Sequence, residues 1–349
     1  MATGSWPTLL DVASRLDPEG TVPVIAEILS QCNDIFDDMP IEVANGKTFH
    51  EFVFRTSIPA GFWVSYNQGT PYSKSTTARA RVAIGTLRDY SQIDKLLAED
   101  SGDPVKFRES EDAAFLQGMS QTIAQTMFYG NTAVNPSQFT GLATFYNTLN
   151  AANAANAANV LGGGGSGSSN SSIWLVGWGS ESVFGVYPEK SRAGLHMDDK
   201  GDVVPGFDSV GNRFEACTSH FQQRVGIVPK DWRYVARLAN LDTTAAGLAG
   251  PSAYDIFVGL DELALKFPKL TTKTSGVTKT DVKYDAPGAT RPVIYVNRLI
   301  KHFMQVQAMR NRNVLLTLND YDGRTIQSYR GEIPIKVVDQ LLNTESTIN

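Results

Sequence analysis

Between Thr48 and Asp94 the chain alternates apolar and polar positions with a period of two. Phe52, Phe54, Thr56 and Ile58 interleave with Val53, Arg55 and Ser57. Pro59-Ala60-Gly61 interrupts the run, and Phe62, Val64 and Tyr66 resume it. Asn67 to Pro71 makes a second break. A third run, Thr77 to Ile93, sets Ala78, Ala80, Val82 and Ile84 on one face and Arg79 and Arg81 on the other. The pattern predicts a two-stranded excursion feeding one long strand. A lone hairpin is marginal in water, so the excursion needs another molecule or the rest of the fold to pack on.

At Asp103 the period changes to that of a helix. Asp103 suits a cap and Pro104 a first turn. Phe115, Met119, Ile123 and Met127 recur at every fourth position, widened by Leu116 and Phe128, and Gly130 predicts a left-handed stop. A helix of this length reaches roughly 39 Å at about 1.5 Å per residue. It is far longer than the ~11–12 residues usual in globular proteins. Elements this long suit a flat subunit touching many neighbours better than a compact enzyme with one pocket.

Upstream, residues 1–47 read as an arm with two short helices, Leu9 to Leu16 and Pro23 to Phe36, neither long enough to be stable alone. Downstream, residues 150–172 carry a repeated Asn-Ala-Ala triplet and then a Gly/Ser run, which reads as a flexible, solvent-exposed loop. A mixed region follows. Strands are expected at Ile173 to Trp178, Val183 to Tyr187, Phe214 to Ser219, Tyr234 to Leu238 and Val293 to Val296. Helices are expected from Ala253 to Phe267 and after Asn297, the latter carrying Leu299, Phe303 and Val306, with a polar loop at Thr271 to Thr280. Asp322-Gly323 between two alternating runs predicts a hairpin, and a last strand runs from Ile333 to Leu341.

The totals narrow the function. A chain of 349 residues has room for about two domains. A net charge of −5 argues against tight general binding to nucleic acid, which relies on clustered Lys and Arg. No apolar run approaches the ~20 residues of a membrane helix. The first residues show no charged and then apolar secretion signal, so the protein is expected to stay in the cytoplasm or leave by lysis. Cys32 and Cys217 stand apart with no metal spacing and read as reduced thiols.

Candidate chemistry is thin. Gly162 and Gly167 have P-loop spacing, but Ser168 and Ser169 stand where Lys and Ser or Thr are needed. His50, His196, His220 and His302 lie far apart in no metal or triad pattern, and no GxSxG elbow occurs. Asp37-Asp38 and Asp198-Asp199 are chain neighbours that point apart, poor acid–base pairs that loop solvation or a helix end explains. Leu318 occupies the first ligand position of a calcium-like loop and spoils it. No catalytic residue, cofactor or metal is assigned. Arg79-Ala80-Arg81 and Arg310-Asn311-Arg312 are the basic clusters near aromatics, fit for phosphate or for acids on a neighbour.

Five segments, in order, carry a likeness to a known family: Gly4 to Val12; Tyr72 to Thr77; Phe128 to Asn131 leading to Phe139 to Leu142; Ser172 to Gly179; and Lys230 to Val235. Together they resemble the major capsid proteins of tailed double-stranded DNA phages, those of short-tailed phages above all, with the α+β Hong Kong 97 fold. The resemblance implies an N-terminal arm (1–47), an extended loop (48–92) lying on an adjacent subunit, and a peripheral domain with a spine helix (93–141). It further implies an axial domain (142–310) around the five-fold and six-fold centres, and return strands with a tail (311–349). Candidate inter-subunit contacts are Phe52, Phe54, Arg55, Phe62, Trp63, Tyr66, Arg79 and Arg81 on the loop, and Glu109 and Asp112 on the helix. The expected partners are further copies in pentamers and hexamers, a separate scaffolding protein, a portal, a decoration protein and weakly held packaged DNA, with no membrane. No Lys–Asn cross-link site stands out, so assembly is expected to be non-covalent. The expected place is the virion, with assembly in the host cytoplasm. An encapsulin-type nanocompartment is the alternative within the same fold, and a hydrolase using scattered carboxylates is the rival outside it.

Overall fold

The computed structural model describes residues 35–349 except 151, 153, 192, 208–209, 245–246, 249, 251–252, 269–289, 311–315, 322–323 and 330–332. The arm helix at Leu9 to Leu16, most of the one at Pro23 to Phe36, Cys32, the loop at Thr271 to Thr280, Asn311-Arg312 and the Asp322-Gly323 turn therefore lie outside the described residues. In chain order the elements begin α1 (Ile35–Asp38), β1 (Ile41–Val43), β2 (Phe49–Ser57), β3 (Thr76–Ala83), β4 (Gly85–Asp94), α2 (Lys95–Asp100) and α3 (Pro104–Tyr129). They continue α4 (Leu142–Phe145), β5 (Val160–Gly162), β6 (Asn170–Trp178), β7 (Val183–Tyr187), β8 (Leu195–Asp199), β9 (Val204–Phe207), β10 (Arg213–Pro229) and β11 (Val235–Asp242). The last are α5 (Ile256–Lys266), β12 (Arg291–Val296), α6 (Arg298–Arg310), β13 (Leu316–Tyr321), β14 (Arg324–Tyr329) and β15 (Ile333–Val337).

Strand β6 is the centre of the molecule. It is apolar on both faces because both faces are covered. Trp174, Val176 and Trp178 join the end of the long helix α3, through Ile123, Met127 and Phe128, in one core. Ile173 and Leu175 point the other way, into a second core under α5 and α6 with Leu260, Leu263, Ile300 and Met304. β11 and β12 flank β6 antiparallel, and β15, β14 and β13 extend the sheet beyond β12. Trp178 pairs with Val183, and through that pair the central sheet meets a peripheral one. There β7 pairs β10, β10 pairs β4, and β8 and β9 lie along the other edge of β10.

The helix α3 matches its expected start. Asp103 accepts a hydrogen bond from the Lys106 backbone N–H at 3.2 Å, and Pro104 fills the first turn. Met119, Ile123, Met127 and Phe128 are buried, and half-buried Phe115 stacks on Phe221 with centroids 6.2 Å apart. Its end corrects the sequence reading. Gly130 has φ −54° rather than a left-handed value. Glycine is required there for space: a Cβ would lie 2.6 Å from the Thr126 carbonyl oxygen and would also run into that of Phe139.

Four further expectations are corrected. Phe62 to Tyr66 alternates but is not a strand, because no strand runs beside it. The third extended run is two strands, β3 and β4, broken at Ile84 where Gly85 packs against Phe139. The Asn-Ala-Ala stretch is ordered from Ala155 on, while Ser166–Ser169 are irregular and exposed as expected. Residues Ala155–Asn159 form a 3-10 turn, and Val160–Gly162 is β5, parallel to β11. Asn159 is buried, and its side-chain N–H group donates to the carbonyls of Trp232, Arg233 and Val235 at 3.3, 3.2 and 3.0 Å. Asp198-Asp199, read as loop or helix end, lie on β8.

Candidate functional site

The pair β2–β3 leaves the body as a ribbon, with Phe49 opposite Ala83 at its root and Ser57 opposite Thr76 at its outer end. Thr76 Oγ1 hydrogen-bonds the hydroxyls of Thr56 (2.7 Å) and Ser57 (2.8 Å), which closes the ribbon before the tip. Beyond it, residues 58–75 form an irregular tip with a turn at Ser65–Gln68, where Asn67 takes φ 65°. Ribbon and tip together are called the finger below. At the root, half-buried Phe52 and Ile84 pack with Val82, Phe184 and Val228. His50 meets Phe184 edge-on at 5.7 Å, and burial, then the Lys230 cation, hold its imidazole below the usual histidine range.

From Arg55 to Thr77 every residue is exposed. Trp63, Tyr66 and Tyr72 have relative exposures of 103%, 101% and 104%, and Ile58, Phe62 and Val64 are exposed with them. Folded monomers rarely present so many large apolar side chains together; such a patch marks an interaction surface. Aromatic residues with a polar handle are the favoured anchors of such surfaces.

The candidate contacts read from the sequence divide accordingly. Arg55, Phe62, Trp63, Tyr66 and Arg79 stand on the outer ribbon and tip, and Glu109 is exposed on α3. Phe54 is half-buried, its ring 6.3 Å from that of Phe52. Phe52 is held within the subunit by the root cluster. Arg81 is engaged within its own ribbon, donating to Glu51 across the strands and lying 4.0 Å over the Phe49 ring. Asp112 is corrected outright. It is buried, and its carboxylate accepts from the Ser219 hydroxyl at 2.8 Å, so within the subunit it ties α3 to β10. The sequence reading missed Ile58, Val64 and Tyr72 as exposed partners, although Ile58 and Val64 belong to the same alternation.

A second polar assembly lies inside. The Glu345 carboxylate accepts from Arg237 (2.8 Å), Ser172 and Tyr129, and Arg237 also donates to the Tyr146 carbonyl at 2.8 Å. Burial, then the neighbouring Glu345 charge, push the Tyr129 hydroxyl up, so it stays protonated and donates. This junction joins the end of α3, the central sheet and the last residues of the chain. Asp38 plays a like part at α1, accepting from Tyr295 and Lys336 at 2.8 Å each. Both are framework. Among the described residues no group of three His, Cys, Asp or Glu side chains is placed to hold a metal ion, and no helix is long and apolar enough to cross a membrane. Cys217 is buried on β10, and burial pushes its thiol up.

An exposed finger, a long helix and a two-part sheet suit a subunit that packs against neighbours, and the comparisons give that class its family. The family described as major capsid protein GP7 matches residues 17–349. A chain in the near-atomic-resolution structure of bacteriophage Epsilon15 is 30% identical, over 100% of this chain and 99% of that one, with a TM-score of 0.72. The bacteriophage JBD30 capsid is 9% identical, over 89% of this chain and 91% of that one, with a TM-score of 0.48. No curated protein sequence matches. The chain belongs to the GP7 major capsid protein family. It has the α+β Hong Kong 97-type fold, and its copies self-assemble into the icosahedral shell of the virion that encloses the phage's double-stranded DNA.

Proposed function

We propose that the finger is the element through which one subunit grips the next in this shell. The observation that supports it is the run of exposed apolar side chains from Ile58 to Tyr72 on a ribbon whose tip no other described residue of the subunit covers. In this reading the extended loop is 48–92, the peripheral domain is 93–141 with the return strands of 311–349, and the axial domain is 142–310. Residues 1–47 are the arm. Each contact is modest, and many copies close the shell. The work of the chain is structural, without catalysis. A separate scaffolding protein and a portal take part in assembly in the host cytoplasm, and a decoration protein binds the finished shell. Packaged DNA is held weakly, in keeping with the net charge of −5.

The test is excision of residues 59–72 with a short Gly-Ser bridge from Ile58 to Ser73. The expected product is a folded subunit, with the parent's near-ultraviolet circular dichroism, that forms no shells. Shells as numerous and as regular as those of the parent would remove the finger from its role.

A further inference from the structure

Strand β10 has two faces with different neighbours. Its odd-numbered residues turn to the long helix, where Phe221 stacks on Phe115 and Ser219 donates to Asp112. The even-numbered residues turn the other way. Val228, near the end of the strand, joins the cluster at the finger root. Earlier along the same face, Arg224, Gln222 and His220 are only half-buried.

Strand register sets polar side chains around them. On β4, Thr86 lies opposite Arg224, Arg88 opposite Gln222 and Tyr90 opposite His220. On β8, His196 lies opposite Gln222 and Asp198 opposite His220. The Tyr90 ring stacks on His220 with centroids 4.4 Å apart, which holds both on this face. Thr86, Arg88, Tyr90 and His196 are exposed.

The charge of this face is the reverse of the whole chain's −5. Arg88 and Arg224 have no ion pair among the described residues; Arg224 Nε lies 3.4 Å from the Thr86 hydroxyl. Asp198 is occupied by Lys200. Asp94, at the end of β4, accepts from the Leu96 backbone N–H and caps α2. Asp89 belongs to the other face, opposite Phe221. The exposed aliphatic residues of β8, Leu195 and Met197, alternate to the helix side with Asp199, which pairs with Arg108. A face with free arginines and no exposed aliphatic side chain is a poor match to the apolar centre of a protein–protein contact. Arginine beside Tyr, Gln and Thr is instead the set of donors that meets phosphate oxygens.

We propose that this open face of β4, β10 and β8 is where the shell touches the phosphate backbone of the packaged DNA, with Arg88 and Arg224 as the charged contacts and Tyr90, Gln222 and Thr86 as neutral donors. This deepens the reading that packaged DNA is held weakly, and it rests on that reading. Two arginines neutralise about two phosphates, so each contact is independent of sequence and is weakened by salt. One subunit lets the duplex go easily, and the many copies of the shell together line its path.

The experiment is ultraviolet cross-linking of intact DNA-filled particles, with the DNA-linked peptides identified by mass spectrometry. Linked peptides are expected from residues 86–92 and 220–224, with Tyr90 among the points of attachment. In particles built from Arg88→Gln/Arg224→Gln, the yield at these peptides is expected to fall about fivefold, from the loss of two exposed charge contacts, with the shells unchanged. Cross-links confined to other segments would overturn this face, and so would a variant yield equal to the parent's. The parent's cross-link map decides the matter even if the variant forms no particles. DNA-linked peptides from no part of the chain would instead remove the weak contact on which the proposal rests.

Discussion

Replacing Glu345 by alanine leaves the Arg237 guanidinium inside the protein with no carboxylate. The two side chains are 4% and 5% exposed, so water cannot take the place of the lost partner. Breaking a buried pair from one side costs about 3–5 kcal/mol, most of it the burden of the stranded charge. The geometry argues for the upper part of that range, because Glu345 also accepts from Ser172 and Tyr129, and both hydroxyls lose their acceptor. The assay is urea unfolding of the unassembled subunit followed by tryptophan fluorescence, with Trp174 as reporter 4.9 Å beneath the guanidinium. With a slope of about 3 kcal/mol per molar or more, the midpoint falls by about 1 M. Arg237→Met/Glu345→Leu removes both charges and keeps the volume, and is expected to recover most of the loss. A Glu345→Ala midpoint within about 0.2 M of the parent would refute the reasoning. So would a double variant as weak as the single one.

Further outcomes follow from the same geometry. Asn159→Ala removes the donor shared by three carbonyls, that of Val235 in a buried bond, and is expected to cost about 1–3 kcal/mol in the same assay, whereas a flexible loop there would cost nothing. Gly130→Ala drives a methyl group against the carbonyls of Thr126 and Phe139, and soluble expression is expected to fall sharply. His50 is held below its unfolded value near 6.5. As pH falls from about 6.5 through the folded value, the unfolded chain therefore binds more protons and stability drops. His50→Gln is expected to flatten that part of the stability–pH curve, and a slope equal to the parent's would count against the assignment.

What the sequence disclosed follows from where each signal resides. Asp103, Pro104 and the Met119–Ile123–Met127 spacing are local, so the start and inner face of α3 were readable. Val183–Tyr187 was readable to the residue, being a short apolar run between turns. β10 was seen only at Phe214 to Ser219. Its middle, Gln222-Gln223-Arg224, is polar because that part of the strand is only half-buried, yet its backbone is held by β4 and in part by β8. β8 and β9 carry exposed residues for the same reason and gave no pattern. Phe62 to Tyr66 alternates like a strand, but the alternation belongs to a surface awaiting a partner rather than to a ladder.

The candidate contacts divided along the same line. The aromatics of the tip were legible because none of the described residues of their own subunit claims them. Asp112 was misjudged because its donor, Ser219, lies 107 positions away in sequence. Arg81 has a partner in its own ribbon, Glu51, that only strand register sets opposite it. The Gly/Ser run looked like a linker, yet Gly163 and Gly165 press against β11, donating to the carbonyls of Ala239 (2.7 Å) and Asn240 (2.8 Å). Composition does not distinguish a glycine needed for close approach from one needed for freedom.

The most direct test of the account is electron cryomicroscopy of the purified full-length protein after assembly. The account predicts closed icosahedral shells in which Trp63, Tyr66 and Tyr72 of each finger are covered by an adjacent subunit. Shells in which the finger tips stand free in solvent, or a stable monomer or dimer under every assembly condition, would contradict it.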